Sequence, residues 1–182
     1  MIWNRWEGSF IFQVGFAISM RKANFNEFFP DRYGSKLEAA KDIPCIFEVV
    51  MQSVKEQMGF IRSGLELGLV ELEGSQGRFI GCLHPYGTNM IVVNKLPLKR
   101  VRGSSPQICK SYLFHVLLHE YLHTVGIWDE NVIREGVLAM TRQLFGDDHP
   151  ATKLAEDIGG LLPFIVYPAQ MRLPEGTEIE QL

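Results

Sequence analysis

The sequence predicts an α+β fold, a small mixed sheet packed on a long helix and on a second helix behind it. Two observations carry this. Apolar residues recur at helical spacing in two well-separated stretches, Ile43–Phe60 and Gln107–Val125. Between them lie three short runs rich in branched and apolar residues, each bounded by turn-forming sequence. At 182 residues the chain is long enough to bury a sizeable core and is read as one domain, 1–182.

Taken in order, Ser9-Phe10-Ile11-Phe12-Gln13-Val14 alternates as a strand does. It sits in an apolar stretch, Gly8–Met20, too short to span a bilayer and interrupted by Gln13. Ile46, Phe47, Val50, Val54 and Met58 mark one face of the first helix. Leu65–Leu72 and Arg78–Leu83 read as strands separated by Glu73-Gly74-Ser75-Gln76-Gly77. Met90-Ile91-Val92-Val93 is a third strand, after the turn signal His84-Pro85-Tyr86-Gly87. Lys95–Arg102 is a local basic run, most simply a solvated loop. Ser104-Ser105-Pro106 supplies a cap and first turn for the long helix, and Gly126 a stop. Asp129 is a favourable N-cap for a further helix to about Phe145, with Ile133, Val137, Met140 and Leu144 on one face and Gly146 at its end. Pro150 suits the first position of another short helix.

Composition is that of an ordinary globular protein, 46% apolar and 21% charged. A net charge of −3 calls for neither nucleic acid nor an anionic membrane. Cys45, Cys82 and Cys109 are too far apart for a metal knuckle or a disulfide framework, and they suit a reducing, cytoplasmic setting.

Function is concentrated in His119-Glu120-Tyr121-Leu122-His123. Two histidines four apart on a helix project from one face and can grip a single ion. The glutamate beside the first can take a proton from a metal-bound water, the logic of the H-E-x-x-H zinc hydrolases. His115, one turn earlier, is read as a packing or supporting residue. A catalytic zinc site takes a third protein ligand, and three residues downstream are candidates. Asp129 stands three beyond Gly126. Glu135 would reach the histidines if the next helix folds back. His149 lies beyond the far end of that helix, about 20 Å from its start.

His119 to Asp129 fits H-E-x-x-H-x-x-G-x-x-D, and here the chain resembles the zincin metallopeptidases, specifically the aspzincin-like variant of the metzincin pattern. The resemblance covers eleven residues. It implies a zincin-like fold, Zn2+ held by His119, His123 and Asp129, Glu120 as general base, and a peptide or protein substrate laid as an added strand along a sheet edge. Asn89–Asn94 is the candidate edge strand, and reads equally as a wholly interior one. A glutamate from the following helix is the gluzincin alternative, which implies Glu135. The metzincin methionine turn has no good counterpart: Met140 falls inside a helix, and Met171 is in turn-like sequence. Tyr86, Tyr112, Tyr167 and His115 are candidate oxyanion donors. The acidic tail, 168–182, is read as a flexible solvated end, or as a segment that enters the cleft and holds the enzyme latent. Two rivals stand beside the peptidase. One is a metal-dependent RNA-processing nuclease, with a similar histidine run and with the basic stretch on phosphates. The other is a non-catalytic binding module on the same fold.

Overall fold

The computed structural model describes residues 30–59, 61–167 and 172–182. Helices α1 (Pro30–Ala39) and α2 (Ile43–Met58) lead into strands β1 (Glu66–Val70), β2 (Phe79–Ile80), β3 (Cys82–Leu83) and β4 (Met90–Asn94). Then follow α3 (Lys95–Val101), α4 (Pro106–Thr124), α5 (Glu130–Phe145), α6 (Pro150–Leu161), β5 (Ile165–Val166) and β6 (Glu180–Gln181). The expected strand at Ser9–Val14 and the candidate Met171 lie outside the described residues.

Local chemistry sets the helix ends. Asp42 caps α2 by accepting from the Cys45 N–H at 2.9 Å, and Gly59 closes it in the left-handed region at φ +77°. Ser105 caps α4 through the Ile108 N–H. From Ser111 to Thr124 every residue of α4 is buried, so this helix is the axis of the molecule rather than an amphipathic surface element. Helices α2, α5 and α6 pack around it, with Phe47 edge-on to Tyr121 at 5.8 Å.

The main sheet runs β3-β4-β1-β6. β1 and β4 are parallel, with Leu67 opposite Ile91 and Leu69 opposite Val93. β3 and β6 are antiparallel to their neighbours. β2 leaves this sheet to pair in parallel with β5. The run read as one strand over Arg78–Leu83 is therefore split at Gly81. A side chain there would meet the Tyr112 hydroxyl, 2.7 Å from the Cβ position.

Period-two alternation gives the sheet two apolar faces. Leu67, Cys82, Ile91 and Val93 join the helical core. Val70, Leu83 and Val92 face the other way, where Leu173 and Ile179 cover them. Ile179 lies so close over β1 that only a glycine fits beneath it: a Cβ on Gly68 would be 2.5 Å from its side chain. The chain end is thus the edge strand of the sheet. It is not a segment in the cleft.

Two further expectations change. Asn89–Asn94 is not an edge, because β4 lies between β3 and β1. Its unbroken apolar run is the signature of a strand buried on both faces. The basic run is not a loop. It forms α3, capped by Asn94, whose side chain accepts from Leu96 N–H and Leu72 N–H and donates to the Leu72 and Ile80 carbonyls. Lys95 pairs with Glu180, Lys99 pairs with Glu71, and Arg100 lies over the Phe79 ring. Among the described residues no helix is long and apolar enough to cross a membrane.

Asn94 ties a helix start to two strands while fully buried. Replacing it with Ala leaves several backbone groups unpaired and should cost about 2–3 kcal/mol, read as a lowered urea midpoint at unchanged slope.

Candidate metal centre

His119, Glu120 and His123 lie on the last turn and a half of α4, all buried. Beyond Thr124 the helix cannot continue, because Gly126 takes φ +95° and turns the chain back. The Ile127 carbonyl thereby reaches the His123 ring and sits 3.0 Å from Nδ1. A carbonyl can only accept, so Nδ1 carries the proton and Nε2 is left with its lone pair. Burial, with the neighbouring His119 ring adding to it, lowers the His123 pKa below the ordinary histidine value. The neutral, ligating form is favoured.

The same turn delivers the next helix. Asp129 Oδ1 accepts from the Asn131 and Val132 N–H groups at 2.9 and 3.1 Å, capping α5. Its carboxylate is engaged on its own helix. The residue brought to the histidines is Glu130, the first of α5. Its Oε2 is 3.3 Å from His119 Nε2 and its Oε1 is 3.2 Å from His123 Nε2. Ligand atoms of the three residues lie within 4.8 Å of one another. Glu135 is exposed. It stands about 140° around the helix from Glu130, at roughly 100° per residue. His149 caps α6, its Nδ1 accepting from the Ala151 N–H, and stacks on Phe145. The third member of the cluster is therefore a glutamate from the following helix, one residue after the position that the glycine spacing favours.

The cluster fits a divalent ion. Two imidazoles and a carboxylate are a zinc-type donor set, and ligands of a tetrahedral ion at about 2.0–2.2 Å stand about 3.4 Å apart. Glu130 Oε2 is buried and lies against the His119 ring without a well-formed hydrogen bond, an arrangement that a cation between them would satisfy.

Glu120 points beside this cluster. Its Oε2 accepts the His84 backbone N–H at 2.9 Å, so the end of β3 positions the carboxylate. Burial pushes the Glu120 carboxyl up to about 8. The His84 N–H works against that shift, and the Glu130 charge adds to it. A cation held by Glu130 would draw it back down. His84 is fixed in turn by Nδ1 against the Met90 carbonyl at 2.8 Å. In the sequence this residue registers only as part of a turn.

Aromatic rings flank both histidines. Tyr167 stacks on His119 with centroids 4.1 Å apart, and Trp128 on His123 at 5.7 Å. Of the four candidate oxyanion donors, Tyr167 is the one stacked directly on a ligand ring. Tyr86 is exposed, Tyr112 is buried near Gly81, and His115 lies one turn back along α4. Arg62 anchors the end of α4. Its backbone N–H donates to the Tyr121 hydroxyl at 2.7 Å, and its guanidinium donates to the Thr124 carbonyl and to Asn89. Met140 is wholly buried within α5.

No family model, curated protein or solved structure matches the chain.

The geometry separates the two neighbouring acids. By elemental analysis, Glu130→Ala and His123→Ala should each bind less divalent metal than the parent. Asp129→Ala should keep it while losing about 1 kcal/mol of stability with its cap.

Proposed function

We propose that the protein is a zinc-dependent peptidase. The observation that carries the reading is the convergence of His119, His123 and Glu130 with a buried carboxylate, Glu120, held beside them by the His84 N–H. This is the gluzincin way of completing an H-E-x-x-H site. Zinc bound there would polarise the scissile carbonyl and bring the pKa of its bound water toward neutrality.

The chain's own residues do the rest. Glu120 removes a proton as the water oxygen attacks the carbonyl carbon, then delivers that proton to the amide nitrogen as the C–N bond breaks, leaving a carboxylate and an amine. The His84 N–H occupies one Glu120 oxygen and leaves the other for this exchange. Trp128 and Tyr167 hold the two imidazole rings from outside. Extended peptide would pair with β3, the sheet edge that runs straight into His84. A peptide is favoured over an RNA substrate because the basic run is folded into α3, with Lys95 and Lys99 paired to glutamates. The free thiols of Cys45, Cys82 and Cys109 support a reading of the protein as cytoplasmic.

Glu120→Gln should retain one equivalent of zinc and lose at least about 100-fold in cleavage of a mixed peptide library. Cleavage near the parental rate would remove Glu120 from its role. Zinc binding with no cleavage by the parent would favour a binding module instead.

A further inference from the structure

A cavity of about 420 Å³ opens beside His119, bounded by α4, α5, α6 and β5. That size suits a side chain or a small ligand group. Val137 and Ile165 supply apolar wall. Three polar residues in its lining are under-used. His115 is 5% exposed, and neither of its ring nitrogens has a partner among the described residues. The Tyr167 hydroxyl is buried and likewise unpartnered among them. Buried polar groups left unpaired are costly, so a polar ligand atom is well received there. Burial keeps His115 neutral, with one N–H to offer.

The third is Arg134, on the rim. It stands one turn beyond Glu130 on α5, close enough to lower the pKa of that carboxylate. It makes no ion pair with a described residue. The acids in the lining are already engaged. Glu156 pairs with Arg142 and Lys153, and Asp157, at a break in α6, accepts the Gly160 N–H at 2.7 Å. Arg134 is therefore a cation in the lining without an ion pair among the described residues, and once a cation takes up Glu130 its capacity to pair is greater.

We propose that this cavity receives the substrate residue next to the cleaved bond, and that Arg134 there pairs with a carboxylate, supported by the His115 ring and the Tyr167 hydroxyl. The carboxylate is either an acidic side chain or a free chain terminus. This rests on the metal-dependent reading of His119, His123 and Glu130, and it adds the substrate class.

The test uses the full chain loaded with cobalt, whose thiolate absorption band reports binding without turnover. Four mercaptoacetyl probes place a thiol on the metal and the next residue in the cavity. Two carry a carboxylate, mercaptoacetyl-glycine at its terminus and mercaptoacetyl-glutamic acid α-amide on its side chain. The other two are the matched neutral amides, mercaptoacetyl-glycinamide and mercaptoacetyl-glutaminamide. At least one carboxylate probe should bind about tenfold tighter than its neutral partner, the gain expected of a charge-assisted pair. Which pair discriminates identifies the source. Arg134→Met should bring the two within about twofold at unchanged cobalt stoichiometry, and Arg134→Lys should restore part of the difference. Equal binding of both pairs by the parent protein overturns the inference and leaves the metal site standing, as does discrimination that survives Arg134→Met. Failure to take up cobalt overturns both.

Discussion

The hydrogen bond from His123 Nδ1 to the Ile127 carbonyl is the contact from which the site is built. It joins the last turn of a buried helix to the first residue after a left-handed glycine. One consequence is chemical: the ring is held in the tautomer that leaves Nε2 free. The other is architectural. Closing this short loop sets where α5 begins, and so sets which residue looks back at the histidines. Asp129 caps the new helix and Glu130 meets the rings. Lengthening the loop by one residue would rotate the start of α5 by about 100° and carry Glu130 away.

The second constraint is the dielectric setting. α4 is enclosed on every side, so His119, Glu120 and His123 sit where charge is poorly solvated. A buried carboxylate is costly unless paired, and the Glu120 carboxyl responds with a strongly raised pKa. Bringing a divalent cation into the same space offsets that cost and strengthens every interaction around it. An ion taken up by His119, His123 and Glu130 would couple metal binding to folding stability.

Much of this was legible from the chain, and the division follows sequence distance. α4 announces itself by Ser105-Pro106, its apolar spacing and Gly126. α5 does so by Asp129 and Gly146, and α6 by Pro150. Each signal is contained within a few residues. His119, Glu120 and His123 share a helix face for the same local reason. What lay hidden depends on pairing between distant segments. β4 is interior because β3 and β1 flank it, and the Met90–Val93 run alone reads equally as an edge. The His84 N–H matters only because β3 ends against α4. Glu130 was within reach of sequence reasoning: once Asp129 is taken as a cap, its carboxylate is spoken for, and the next acid is the one left to turn inward. Arg134 gave no signal, because nothing local distinguishes an arginine on a cavity rim from one in solvent.

Ile179 over Gly68 and the pairing of Glu180–Gln181 with β1 mean that the chain seals one side of its own sheet with its final residues. Unsealed, that strand would present a row of unsatisfied amides to any neighbour, an invitation to aggregate or to capture the wrong ligand. The opposite border of the main sheet is β3, which ends at His84. A chain adding to the sheet at β3 would lie on the histidine-bearing side of the molecule, away from β6.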